Sequence, residues 1–587
     1  MSIFSEIPLK APKRNWFNLS HKVNTTFDMG QLIPFFCEPV LPSDVHKVSV
    51  EQLIRTSPLL APQLSDVDVY VHFFFVPNRL IWDGWESFIT GSENGRLVNE
   101  EDLPQYPVLR MPWNTIRSSV VNLFNQPDSK NRQVVPCHKT LYDYLQFPTF
   151  GSDMPKASST TDTYDVDLLP FAAYQKIWND YYRDENLEDE VNILPLVHAD
   201  NNYPIVSNAI SNLFFLRRRS WKKDYFTSAL PFAQKGESVL LPIQGTANLT
   251  YLNSPYSASI QKNPNVSDYD DNYFQTTTGD NTPGGSVSAV PNMPNDKYVN
   301  LGTTLSSGAR QDFMVNPKSL VVNLQTLASR LQVDLSSASQ TTIRELRRAY
   351  AAQAFLERRA VGGSRYIEQN FSIFGMRSSD GRMQRAEFLG GMKSPLVTSQ
   401  VLQTSESTQD SPLGQPAGTA FSAGSDFIFN KEFEEHGFII GLCSVMPKAE
   451  YVNGYPRKYL KADVYDYYWP QFAKVGEQEI YNQELFYSPQ NDSTDLNHKT
   501  FGYTPRYAEY KSSFNKTNGD FKDTLNFWTL ARFFNKQPNL NPDFIHCNPS
   551  NRIFAYEGND FSHLWCTFNV RHEALRPMPR FSEVTPI

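Results

Sequence analysis

The 587-residue sequence lacks every compact catalytic signature sought in it. It has no Gly-x-Ser-x-Gly elbow, no phosphate loop ending in Gly-Lys-Ser/Thr, and no His-Glu-x-x-His pair. His546 stands directly beside Cys547, without the spacing of chelating or catalytic pairs, and His572-Glu573 has no second histidine. No enzyme activity, metal or cofactor is expected. The five cysteines, Cys37, Cys137, Cys443, Cys547 and Cys566, are odd in number, widely spaced and without Cys-x-x-Cys. That excludes a ribbon-type zinc site and a thioredoxin-like motif, and the reading is buried free thiols in a reducing cytoplasm. A basic surplus is also missing: 54 Lys and Arg stand against 62 Asp and Glu, for a net charge of −8. A chain that holds nucleic acid alone usually shows the reverse, so any DNA contact needs a local basic face or a separate basic partner. The first residues lack the basic and apolar regions of a signal peptide, and no run reaches the ~18 apolar residues of a membrane helix.

What the sequence does hold is proline and aromatic residues. Proline numbers 40 and glycine only 28, where glycine ordinarily outnumbers proline. This balance suits long ordered loops and excludes long helical bundles. Val67, Val69 and Val71 alternate with polar neighbours, and Phe73-Phe74-Phe75-Val76 then reads as strand covered on both faces, ending at Pro77. Gly437–Met446 and Phe561–Val570 alternate in the same way. Strands this far apart pair only through long crossovers, which favours a Greek-key sandwich. The three prolines of Leu32–Pro42 argue against a regular central strand there. Thr342 and Glu345 have capping-box spacing ahead of an apolar stripe from Ile343, a helix stopped by Gly362-Gly363, and Tyr174–Tyr182 reads as a shorter helix. Residues 237–334 form a long polar insertion, and residues 398–424, rich in Ser, Thr, Gln and Gly, read as a flexible loop.

Seven segments, in order along the chain, resemble the major capsid protein of the Microviridae, in its gokushovirus-like branch. They begin with Ser20-His21-Lys22 followed by Thr25–Gly30, then Phe73–Asp83. Trp221–Gly236 is the third, and the helix from Ile343 with Gly362–Tyr366 the fourth. Leu389-Gly390-Gly391 follows, then His436–Gly441 with Tyr465–Pro470, and last Phe501-Gly502-Tyr503 with Arg506–Tyr510. The resemblance implies a mainly β viral jelly roll, two antiparallel sheets with long inter-strand loops and a few helices. It implies one capsid domain spanning 1–587, with an N-terminal arm over 1–30 and a surface protrusion at 237–334. It further implies sixty copies in a T=1 icosahedral shell around single-stranded DNA, assembled in the host bacterial cytoplasm. Beyond Arg576-Pro577-Met578-Pro579 the sequence departs from the family pattern.

Candidate residues follow from charge and ring content. Lys13, Arg14 and Lys22 lie beside Trp16 and Phe17, and Arg217, Arg218 and Arg219 form the densest basic run with Lys222-Lys223. Basic groups hold phosphates and aromatics stack on unpaired bases, so these six are the DNA-contact candidates. Trp16, Trp82, Trp221, Tyr225, Phe226 and Trp469 are the subunit-packing candidates. Asp268, Tyr269, Asp270, Asp271 and Tyr273 of the insertion are host-attachment candidates for a bacterial surface receptor. That acidic loop has no EF-hand spacing and reads as solvated, without a metal. A carbohydrate-binding or carbohydrate-cleaving β-sandwich is the alternative from another class.

Overall fold

The computed structural model describes residues 13–90, 106–112, 139–147, 163–193, 213–236, 343–361, 379–402, 416–474, 476–490, 495–558 and 561–581. It also describes residue 104 and short strands within 92–97 and 248–334. The chain divides into two compact units, 1–238 with 353–587, and 239–352. The second unit contributes short antiparallel ladders, among them Val299–Thr304 on Arg310–Val315.

Ten strands form the two large sheets of the first unit: β1 Asn15–Asn18, β2 His21–Phe27, β3 Ile33–Val40, β4 Val45–Thr56, β5 Val67–Pro77, β6 Glu387–Pro395, β7 Val397–Leu402, β8 Pro416–Glu432, β9 Gly437–Pro447 and β10 Leu564–Arg576. Their order in one sheet is β1-β10-β4-β8-β7, with β2 also on β10, and in the other β6-β5-β9-β3. Every one of these pairings is antiparallel. Setting aside β1 and β7, each sheet has four strands, β2-β10-β4-β8 and β3-β9-β5-β6, and the chain alternates between them except at β5 to β6. That is the double Greek key of a jelly roll.

Pattern explains the faces. β10 buries Leu564, Cys566, Phe568 and Val570, exposes Trp565 and Asn569 and half-buries Thr567, as period-two alternation requires. β5 and β9 are buried almost throughout and pair with one another, Phe438 opposite Val76 and Val445 opposite Val69. Between the sheets Phe35 of β3 stacks on Phe568 of β10 at 4.2 Å, and Phe73 meets Phe429 at 6.0 Å. Helix α1, Leu169–Ile177, continues through a π-helical turn, Trp178–Tyr182, whose Tyr181 ring lies 4.7 Å from Phe74. This turn covers the outer face of β5, and that is why the Phe73–Val76 run has no polar side. Helix α2 runs Ile343–Val361.

β3 is an edge strand, paired only with β9, and it ends before Pro42, so the prolines of this stretch stand outside any central strand, as the sequence requires. Two expectations change. The N-terminal arm is already sheet from Asn15, since β1 and β2 both hydrogen-bond β10. Within 398–424, the described residues are strand, because β7 pairs β8 and β8 pairs β4 over eleven partners from Phe421 to Glu432. Among the described cysteines, Cys443, Cys547 and Cys566 are buried and Cys37 half-buried, all as free thiols. Burial pushes the Cys37 and Cys547 thiols up to about 12.

Candidate functional site

The arginine run does not form one continuous basic face. Arg217 and Arg218 turn into the chain's own interior, whereas Arg219 lines a cleft. Arg217 donates from Nε to Gln175 Oε1 at 2.8 Å and stacks over Trp178 at 4.5 Å. Arg218 donates to the carbonyls of Met29 and Cys547, each at 3.3 Å. Arg219 donates to Ser444 Oγ at 3.1 Å and covers the Tyr70 ring at 4.3 Å. Burial lowers the pKa of Arg217 and Arg218 from the ordinary arginine value. For these two, the donors stitch α1 and the loops before β3 and β10 together.

The neighbouring segment is an anchor. Trp221, Tyr225 and Phe226 are buried in a second apolar cluster with Ile480, Phe501 and Ile545. Asp224 organises it, accepting from the Phe226 and Thr227 amides through Oδ1 and from Tyr451 Oη at 2.8 Å through Oδ2. Tyr225 Oη donates to Glu484 Oε2 at 2.8 Å, and Glu484 pairs with Arg457 at 2.9 Å. Trp82 is likewise enclosed, only 1% exposed, against Trp85 and Tyr106. Trp82, Trp221, Tyr225 and Phe226 are thus buried within their own chain and leave little ring surface for another copy.

Trp16 and Trp469 differ, being 47% and 43% exposed. Trp469 belongs to a surface that sequence reasoning caught only in part. Tyr465, Tyr467, Tyr468, Phe472 and Tyr510 are exposed around it. The loop carrying them is rigid: Asp463 accepts from the Tyr465 and Asp466 amides, and Asp466 accepts in return from those of Ala462 and Asp463. Those backbone donors hold the Asp466 carboxyl below its usual range. Trp469 Nε1 donates to the Val464 carbonyl at 2.8 Å, and Lys461 sits over Tyr467 at 4.7 Å and Tyr510 at 4.1 Å. The signal available in the sequence was tyrosine density without period. A preformed exposed aromatic patch marks a binding surface.

Lys13, Arg14 and Lys22 are exposed. Arg14 pairs with Glu432 at 2.7 Å and donates to the Ser43 carbonyl. Lys22 lies opposite Asn569 on the outer face of the six-stranded sheet, where Arg571 pairs with Glu51. Asp268, Tyr269, Asp270, Asp271 and Tyr273 lie outside the described residues. Among the described residues no group of three metal-ligating side chains converges, and no helix is long and apolar enough to cross a membrane.

A jelly roll with long inter-strand excursions and an exposed aromatic surface is an architecture shared by viral capsid, lectin and cupin proteins. The family described as capsid protein (F protein) matches residues 5–122 and 133–585, so the chain belongs to this family of phage capsid proteins. It is 34% identical to the capsid protein VP1 of Chlamydia phage 1, over 99% of this chain and 96% of that one. It is 32% identical to VP1 of Bdellovibrio phage phiMH2K over 98% and 96%, and 28% identical to VP1 of Spiroplasma virus 4 over 97% and 94%. The Microviridae resemblance of the sequence agrees with these relatives.

Proposed function

We propose that sixty copies of this chain close a T=1 icosahedral shell around single-stranded DNA. The observation that carries the reading is the end-to-end match to phage capsid proteins, together with the exposed aromatic surface around Trp469. Assembly takes place in the bacterial cytoplasm, with loops burying aromatic area against symmetric copies. Lys13, Arg14 and Lys22 contact the genome. A small basic DNA-binding protein supplies the charge that a chain of net −8 lacks. The polar insertion 237–334, with Asp268, Tyr269, Asp270, Asp271 and Tyr273, attaches the particle to a bacterial surface receptor.

Electron microscopy of the expressed chain, with and without single-stranded DNA, tests the shell: closed particles of uniform size are expected, and a permanent monomer refutes it. Neutralising Lys13, Arg14 and Lys22 together should lower the DNA per particle without preventing shells; normal genome content removes them as contacts. Phage with 237–334 shortened should assemble but adsorb poorly, and unchanged adsorption sinks the attachment role.

A further inference from the structure

A cleft of about 680 Å³ opens on the outer face of the four-stranded sheet. Its floor is Tyr70, His72 and Phe74, the β5 residues that alternate away from the sandwich core. Tyr181 and Tyr182 form one wall, and the chain from Arg219 to Lys223 another.

Phe388 stands at the rim, 45% exposed. It is placed there by a bulge: β6 pairs Phe388 with Phe74 and then Gly390 with Phe73, leaving Leu389 unpaired. Bulges re-aim side chains beside binding sites. This one depends on glycine, since Gly390 has φ +154° and a Cβ there would sit 2.6 Å from the Ile428 carbonyl oxygen. The Leu389-Gly390-Gly391 motif thus has a local purpose, to hold the Phe388 ring near Phe74 and His72, at 5.4 and 5.8 Å.

The lining is cationic: Arg219, Lys222, Lys223, Arg385 and Lys448 against Asp68 and Asp380. Lys448 pairs with Asp66 at 2.6 Å, Arg385 with Asp380 at 3.5 Å, and Lys223 with Asp184 at 3.8 Å. Arg219 and Lys222 have no carboxylate partner among the described residues. Ser220 Oγ is buried there without a hydrogen-bond partner. Burial, with Arg219 beside it, lowers His72 to about 4, leaving a neutral ring that hydrogen-bonds Tyr182 Oη at 2.7 Å.

Flat rings beside unpaired cations fit a ligand that is both planar and anionic. A neutral sugar would stack but leave the cations unused, and an acidic peptide offers no flat face. A duplex keeps its base faces inside its own stack. We propose that this cleft takes an unpaired nucleotide of a single-stranded nucleic acid, its base against Phe388 and its phosphate held by Lys222 and Arg219. Stacking and backbone charge then act together, as in sequence-tolerant single-strand binding. The proposal rests on the reading that the shell encloses single-stranded DNA. It is tested on the purified full-length chain, whereas that reading is tested on particles, so the two can fail separately.

The probe is a fluorescein-labelled thymidine oligonucleotide, followed by anisotropy. Phe388→Ala should weaken binding about tenfold, the order set by losing one base–ring stack, and Phe388→Trp should restore it. Lys222→Ala should weaken binding and flatten its dependence on salt. Thymidine monophosphate should compete, whereas inorganic phosphate and blunt duplex at equal concentration should not. A bromodeoxyuridine oligonucleotide should photo-crosslink wild-type protein to peptides holding Tyr181, Tyr182 or Phe388, a readout that needs no variant to fold. Equal affinity for wild type and Phe388→Ala, competition by phosphate as strong as by the nucleotide, or crosslinks confined to other regions would each overturn the proposal.

Discussion

At the residue scale, the least expected group is a buried polar chain inside the sandwich. Asp44, His46 and His572 are fully buried. His46 Nδ1 lies 2.8 Å from His572 Nε2, His46 Nε2 lies 3.3 Å from Asp44 Oδ2, and Arg576 Nε lies 3.3 Å from the same oxygen. His21, Phe36 and Phe433 close around the rings. Burial, then His46, Arg576 and His21, lowers His572 to about 3, against a smaller opposing pull from Asp44. The unfolded chain takes that proton near pH 6.5 and the folded chain only near 3. Between those values the unfolded state binds more protons, so acidification through that window removes stability. His72 acts in the same direction. Glu477, raised to about 7 by burial and by Glu357, acts oppositely, favouring the fold most below about pH 4.5 and losing that effect as pH rises to 7. The urea midpoint should therefore fall between pH 7 and pH 5, and His572→Gln should make that fall smaller. An unchanged slope in the variant would remove His572 as its source. Nothing in the sequence marked these residues as a set, because 526 positions separate His46 from His572.

At the element scale, strands that carry their own pattern were legible. The β5, β9 and β10 segments alternate or run apolar whatever their partners, and the Thr342–Glu345 cap marked α2 to within its first residue. β7 and β8 were not legible, since Ser399, Thr419, Ser422 and Gly424 have little apolar content and form strand through the β7–β8 ladder and the β8–β4 ladder. The arginine run misled for a related reason: charge density is visible in sequence, whereas the carbonyls and rings that absorb it are brought up by distant elements. What joins the two sheets is specific. The Phe35–Phe568 stack crosses between them, and Phe568 is fully buried. Phe568→Ala should cost about 3–5 kcal/mol, the usual range for emptying a buried phenylalanine site. Denaturant unfolding measures it, and a loss under about 1 kcal/mol would show that the sheets close over the gap.

At the scale of the whole molecule, the proposal that copies meet through the aromatic surface around Trp469 can be weighed by area. Six half-exposed rings, each able to bury ~150–250 Å², offer roughly 600 Å², most of one side of a standard interface of ~800 Å² per partner. Rigidity matters as much as area, because the reciprocal Asp463–Asp466 cap orders the loop before any partner arrives and lowers the entropy lost on docking. Replacing Tyr465 and Trp469 together by alanine should leave the thermal midpoint of the isolated chain within a few degrees of wild type and abolish fast-sedimenting particles. Particles in normal yield would place the main contacts elsewhere.

The position of β10 has a consequence for timing. This strand lies between the β1–β2 pair and β4, yet it is the last of the ten to leave the ribosome. At ~5–20 residues per second, β2 and β4 wait tens of seconds for the strand that joins them. Until then neither sheet-facing apolar row on β2 or β4 has its central neighbour, and the nascent chain holds open edges. Chaperone demand should therefore peak late in synthesis, and a polypeptide interrupted before β10 cannot present a finished wall to its copies. Synthesis of β10 is the condition for a closed sandwich.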